Sequence, residues 1–319
     1  MPDLTTPTFS VVICAYTEER WPDLQAAVSS VLTQSRPALE VIVVVDHNDG
    51  LLARVGAELP QVRGVPSAEA KGLAGARNTG VHLATGEVIA FLDDDARGAP
   101  DWLAQLAPHY RRPEVLGVGG LVRPLWSVAP PAWWPVEFNW VVGCSYVGMP
   151  TETALVRNFI GANMSFRRSL FDEIGAFRTG IGRVGSTPLG CEETELCIRA
   201  HQRFPAGELV YEPRAAVDHR VTEVRASWPY FRSRCYAEGR SKALVTRFVG
   251  AGDGLSAERR HLTRVLPAGV TSALRRGIAR AQLSELARAA AIVAGVAASS
   301  AGYVAGRAHS GSAGPAGGR

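Results

Sequence analysis

Three clusters and one histidine carry the residue types that chemistry needs. FLDDDA at 91–96 sets Asp93, Asp94 and Asp95 at the end of an apolar run. Adjacent carboxylates repel one another unless solvent or a cation takes up their charge. A hard ion such as Mg²⁺ or Mn²⁺ commonly takes one or two carboxylates together with phosphate oxygens. In extended backbone Asp93 and Asp95 project to one side and Asp94 to the other, so Asp93 and Asp95 can share an ion; a solvated acidic turn is the plainer alternative. KGLAGARNTG at 71–80 combines glycines with Lys71 and Arg77. Glycines allow close backbone approach, and the two cations suit an anionic ligand such as a diphosphate. GCEETELCIRA at 190–200 starts a helix with Glu192, Glu193 and Glu195. A helix dipole alone accounts for such carboxylates; a general base that deprotonates an attacking hydroxyl is the functional alternative. His219, after the short run AAVDH, is either an ordinary histidine or a third metal ligand.

These residues need a frame. Residues 9–15 (FSVVICA), 40–45 (EVIVVV) and 87–92 (EVIAFL) read as buried strands. Between them lie a helix opening near Pro22, with Leu24, Ala27, Val28, Val31 and Leu32 on one face, and a helix over 71–84 that stops at Gly86. Strand alternating with helix predicts an α/β fold with a mostly parallel, three-layer sheet. Each strand ends in a polar cluster: Tyr16-Thr17-Glu18, Asp46-His47-Asn48-Asp49 and Asp93-Asp94-Asp95. In open α/β sheets ligands bind beyond the carboxyl ends of the strands, so the three clusters point to one crevice. Residues 123–160 are irregular and aromatic, 165–204 read as helical, and 207–219 as short strands.

Composition narrows the classes. The 319 residues are 46% hydrophobic and 20% charged, an ordinary globular balance. A net charge of +4 is too small to argue for nucleic acid. Five scattered cysteines include no C-x-x-C and no zinc spacing, as expected of a reducing compartment. The start, MPDLTTPTFS, lacks the pattern of a secretory signal, so a cytoplasmic location is expected. The 71–80 segment has no G-K-[ST] ending, and no G-x-G-x-x-G follows the first strand, which removes Walker and dinucleotide fingerprints.

The order AYTEE, EVIVVVDHND, KGLAGARNTG, GEVIAFLDDDA, NMSFRRSLFDEIGAF, CEETELCIR resembles the family 2 glycosyltransferases of GT-A fold, over roughly residues 9–245. More narrowly, VRPLWSVAPPAWWPVEFNWVVGCSYVG and the EETELC helix look like archaeal glucosyl-dolichyl-phosphate glucuronosyltransferases and their actinobacterial relatives. The resemblance implies a metal-dependent, inverting transfer of sugar from a nucleotide diphosphate, a UDP-sugar above all, to a glycan, polyprenyl-linked sugar or other hydroxyl acceptor. It implies that Ala15, Tyr16, Glu18, Asp46, Lys71, Arg77 and Asp93 line the donor site. It implies that Asp95, with Asp93 and His219, holds Mg²⁺ or Mn²⁺. Glu192-Glu193 stand at the family's acidic pair, commonly Glu-Asp, so either glutamate can be the base. A nucleotidyltransferase, or a non-catalytic sugar- or lipid-binding protein on the same scaffold, remains the competing class; the first would usually carry a glycine-rich basic loop where this chain has AYTEER.

From about residue 246 the composition turns to Arg and Ala. The expected division is a catalytic domain at 1–245, a basic helical extension at 246–307 and a disordered tail at 308–319. Residues 255–288 hold seven arginines against Glu258 and Glu285, and 289–306 are uncharged but rich in Ala, Ser and Gly. A segment at 255–306 lying on an anionic membrane surface, peripheral at the inner face of the cell membrane, fits this pattern; a helical hairpin packed on the catalytic domain fits it equally.

Overall fold

Burial alternates with period two along the first strands and divides the core between two faces of one sheet. Val11, Ile13 and Ala15 face one cluster and Val12 the other; Val41, Val43 and Val45 separate from Ile42 and Val44, and Val88, Ala90 and Leu92 from Ile89 and Phe91, in the same way. Strands apolar on both faces must be covered on both, as a three-layer α/β arrangement does. The computed structural model describes residues 7–183, 189–254 and 256–309.

In chain order the elements are β1 (Phe9–Ala15), α1 (Trp21–Leu32), β2 (Glu40–Val45), α2 (Asp49–Glu58), β3 (Arg63–Pro66), α3 (Leu73–Leu83), β4 (Val88–Asp93), β5 (Ala96–Gly98), α4 (Trp102–Leu106), β6 (Val115–Trp126), β7 (Ala154–Leu155) and β8 (Asn163–Arg167). They continue with α5 (Arg168–Ile174), α6 (Glu192–Arg203), β9 (Glu208–Val221), α7 (Trp228–Val249), α8 (Ala251–Gly254), α9 (Ser256–Arg260), α10 (Leu266–Arg280) and α11 (Leu283–His309). The sheet order is β3-β2-β1-β4-β8-β6-β9-β5, with β7 against β9. Helices α1, α2 and α4 contribute to the first core face, and α3, α5 and α6 to the second. Gly80 lets α3 lie flat on β1, since a Cβ there would overlap the Val12 side chain.

Several expectations need correction. The parallel pairing expected from the alternation holds in β3-β2-β1-β4 and again between β6 and β9; β8 runs antiparallel to both β4 and β6, and β5 and β7 antiparallel to β9, so the sheet is mixed. Residues 165–204 are not one helical stretch: β8 enters the sheet centre before α5 begins. Residues 207–219 are one long strand, β9, because it pairs in turn with β6, β7 and β5. Leu32 is 46% exposed at the end of α1, while Leu24, Ala27, Val28 and Val31 are buried. The strand expected at 87–92 runs one residue further along, to Asp93.

Beyond β9, α7 is continuous through residue 245, so the expected division at 245/246 falls inside a helix. Helix α11 packs along it: a Cβ on Gly239 would overlap the Ser299 carbonyl, and one on Gly302 the Tyr236 carbonyl. Arg288 of α11 also reaches the buried Glu137 at 2.8 Å. The aromatic segment is core material, with Trp126, Trp133, Trp134, Trp228 and Phe231 meeting at centroid distances of 5.2–5.7 Å. Most of the expected tail, residues 310–319, lies outside the described residues, as do residues 1–6 of the start; Ala308 and His309 belong to α11.

Candidate active site

The carboxyl ends of β1, β2 and β4 open into a cavity of about 570 Å³. Ala15, Tyr16, Asp46, Arg77, Asp93, Asp95, Glu192, Glu193 and His219 all line it. Glu18 and Lys71 do not: Lys71 is exposed, and Glu18 faces Arg54 at 4.0 Å. The glycine-rich segment serves the protein's own packing first. The Gly72 N–H donates to Asp46 Oδ2 at 3.0 Å, and His47 Nδ1 lies 2.7 Å from Asp46 Oδ1, so Asp46 is anchored from two sides.

Arg77 is 2% exposed and joins the two acidic clusters. Its Nη1 donates to Glu192 Oε1 at 2.8 Å, and its Nη2 to Asp93 Oδ1 at 3.2 Å and to the Gly161 carbonyl at 3.1 Å. The cation expected for a diphosphate is thus engaged by carboxylates. It can sit there because α3 lies on the same sheet face as the last side chain of β4.

Asp93, Asp95 and His219 offer ligand atoms within 4.8 Å of one another. Topology brings them together: β5 pairs with β9 in a register that sets Ala96 opposite His219, and Arg220 N–H donates to the Asp95 carbonyl at 2.8 Å. The strand ends at Asp93, so a turn carries Asp95 to this position. Asp95 Oδ1 lies 3.1 Å from His219 Nε2, and its Oδ2 lies 3.2 Å from Arg20 Nη1 and 3.2 Å from Arg225 Nη2. Burial opposes a charge on Asp95, but His219, Arg225 and Arg20 together hold its carboxyl well below the ordinary range. Burial likewise opposes a charge on His219, and Asp95 pushes it up to about 10. Asp94 turns away to Arg20 at 2.9 Å with its Oδ2 unpartnered; burial and then Asp95 raise it to about 7. Two carboxylates and an imidazole suit a hard or borderline divalent ion, so the residues present fit Mg²⁺ or Mn²⁺.

The acidic pair begins α6 and divides its work. Glu192 is buried and held by Arg77, whereas Glu193 makes no ion pair among the described residues and accepts from the Thr194 hydroxyl at 3.3 Å. Burial, then the adjacent Glu192, push Glu193 up to about 7. Cys191 caps the helix with φ +75°, a left-handed conformation uncommon for a residue with a side chain.

Sequence reasoning missed the cations Arg20, Arg157, Arg225, Arg234 and Lys242, which also line the cavity. Arg20 stands beside the AYTEE cluster and could have been included with it. The others sit on segments without a motif, brought in by pairings such as Arg157 with Glu258, 101 residues apart.

Residues 10–175 match the family model described as Glycosyl transferase family 2. The chain is 36% identical over 241 residues to the glucosyl-dolichyl phosphate glucuronosyltransferase of Haloferax volcanii, covering 74% of this chain and 76% of that protein. It is 29% identical over 262 residues to polypeptide N-acetylgalactosaminyltransferase 12 of Mus musculus, covering 75% of this chain but 44% of that one. Among solved structures, a mannosyltransferase from Pyrobaculum calidifontis in complex with GDP-Man and Mn²⁺ is similar with a TM-score of 0.62 at 20% identity, over 93% of this chain and 88% of that one. GalNAc-T7 with UDP, GalNAc and Mn²⁺ gives a TM-score of 0.54 at 19% identity, over 81% of this chain and 54% of that one.

Proposed function

The chain belongs to glycosyl transferase family 2, and we propose that it is a metal-dependent, inverting enzyme of that family, moving sugar from a UDP-sugar donor to a hydroxyl of a glycan or lipid-linked acceptor. Its fold is the GT-A glycosyltransferase fold. The observation that carries the reading is one cavity with a metal-type cluster at one place and, one guanidinium away across Arg77, an acidic pair with a single uncommitted carboxylate.

In this reading Ala15, Tyr16 and Asp46 receive the nucleoside end of the donor. Asp93, Asp95 and His219 would hold the divalent ion, which supplies positive charge to the leaving diphosphate. Arg77 keeps Asp93 and Glu192 in place. Glu193 Oε takes the proton from the acceptor hydroxyl as that oxygen bonds to the anomeric carbon; the bond to the diphosphate breaks and the diphosphate keeps the electron pair. Attack opposite the leaving group inverts the anomeric configuration, by the geometry that inverting hydrolases use. A carboxyl with a pKa near 7 suits a proton acceptor at neutral pH, which favours Glu193 over the cation-bound Glu192.

The lipid-linked acceptor is supported by the Haloferax volcanii relative, named for a dolichyl phosphate substrate. Helix α11 is long and apolar enough to cross a membrane by length and composition, with 28% of its apolar stretch buried. Its packing along α7 favours a helix lying at a surface. Ile278 (78% exposed) and Leu283 (80% exposed) beside exposed Arg275 and Arg280 are the expected points of contact with anionic lipid at the cytoplasmic face.

A thermal-shift panel of UDP-sugars with and without Mn²⁺ tests the core of this reading. One UDP-sugar should raise Tm only with metal. No shift with any nucleotide, or a shift indifferent to metal and to Asp95→Ala, sinks it.

A further inference from the structure

The cavity extends beyond the acidic pair, and there its wall is strongly charged. Arg157 comes from the loop before β8, Arg234, Glu238 and Lys242 from α7, and Glu258 from α9. Ion pairs link them in a row. Arg157 forks onto Glu258 at 2.8 and 2.9 Å; Lys242 Nζ lies 2.8 Å from Glu258 and 3.6 Å from Glu238; Arg234 lies 2.9 Å from Glu238. The Cys191 thiol donates to Glu238 at 3.2 Å, and burial keeps that thiol far above its ordinary pKa, so it adds no charge. None of the five ionic side chains is more than 25% exposed. Three cations therefore face two carboxylates in a largely dry wall. Buried charges are costly unless matched, and within this row one positive charge is unmatched.

The surroundings point the same way. Burial should raise the Tyr230 phenol in the same cavity, yet Arg225, Arg183 and Arg234 hold it below its usual value. The cavity wall also carries Leu262, Leu266, Val296 and Val304 from the C-terminal helices. An excess of positive charge along this row, beside an apolar wall, is complementary to a molecule that carries a negative group.

We infer that Arg157, Arg234 and Lys242 form a subsite for an anionic substituent, a phosphate or carboxylate, carried by one of the two substrates. The inference rests on the transferase reading for there being two substrates. Lys242, lying between Glu238 and Glu258, offers rotatable donors, and Arg234 offers a planar fork. The negative group can come from the head of an amphiphilic acceptor or from the donor sugar itself.

Calorimetry on the full chain with Mn²⁺ separates these sources. One pair of probes is octyl phosphate against octanol; the other is UDP-glucuronate against UDP-glucose. In one pair the charged member should bind at least ~10-fold more tightly, the scale of a charge-assisted hydrogen bond. Lys242→Met and Arg234→Met should erase that preference, and Lys242→Arg should keep it. Should Lys242→Met not fold, Lys242→Met with Glu258→Gln removes a cation and a carboxylate together and serves instead. A preference in the octyl pair assigns the subsite to the acceptor, one in the nucleotide pair to the donor. Equal affinities within both pairs, or a preference untouched by the methionine variants, overturn the subsite. UDP-sugar binding without any charge preference leaves the transferase reading standing alone; preference for octyl phosphate with no nucleotide binding leaves the subsite standing alone.

Discussion

Glu193 and Glu192 are neighbours of one type with opposite circumstances. Glu192 has a guanidinium at 2.8 Å; Glu193 has burial and a like charge beside it. The motif alone could not separate them, because the difference comes from Arg77, 115 residues away from Glu192. Glu193→Gln is expected to preserve donor binding and cut transfer by roughly 10²–10⁴ in single-turnover assays; an equal loss in Glu192→Gln alone would move the role. With Glu193 as the proposed base, the wild-type rate should fall on the acid side of about pH 7, where its carboxyl is protonated, and the limb should vanish from the residual rate of Glu193→Gln. Stability should run the other way. A carboxyl whose folded pKa is raised stabilises the fold below its unfolded pKa and loses that contribution as pH rises through about 7. Glu193→Gln should therefore melt several degrees above wild type at pH 8 and close to it at pH 5, by differential scanning calorimetry. Arg77→Met leaves Asp93 and Glu192 without their shared cation; breaking such buried pairs costs about 3–5 kcal/mol, measured as a lower urea midpoint.

Strands β1 and β2 were legible to the residue because continuous β-branched runs buried on both faces have few other uses. Strand β8 was not legible: NMSFR is five residues long, and its place between β4 and β6 is set by antiparallel partners 45 or more residues away. The 71–80 glycines were read as ligand-facing, whereas Gly80 is required where α3 meets β1. Gly80→Val should overpack that contact and cost about 1–3 kcal/mol while Asp93, Asp95 and His219 remain intact. Metal-dependent nucleotide binding that survives at low temperature but fails early on heating would show the effect is in the scaffold.

At the scale of the molecule, the metal-type cluster belongs to the sheet, while much of the cavity wall belongs to α7, α10 and α11. Removing the chain from Leu283 onward deletes the α11 part of that wall, strips Arg288 from Glu137 and uncovers Phe138 and Phe231 at their contact with Gly295. The shortened chain should bind a hydrophobic dye and lose cooperative melting; a sharp transition at the wild-type Tm would show that the helices are an independent unit. The same arrangement has a consequence during synthesis. The ribosome releases Asp93, Asp95, Glu193 and His219 long before Val296 and Val304, and the N-terminal part of a nascent chain folds first. Until those residues are made, part of the wall that would shelter the acidic residues from water is missing, and in the proposed reading a nucleotide-sugar held there would be open to hydrolysis. Because the last long helix supplies the missing wall, competence for sheltered transfer arrives late, and an unfinished chain should squander little of the cell's activated sugar only if it binds that sugar poorly.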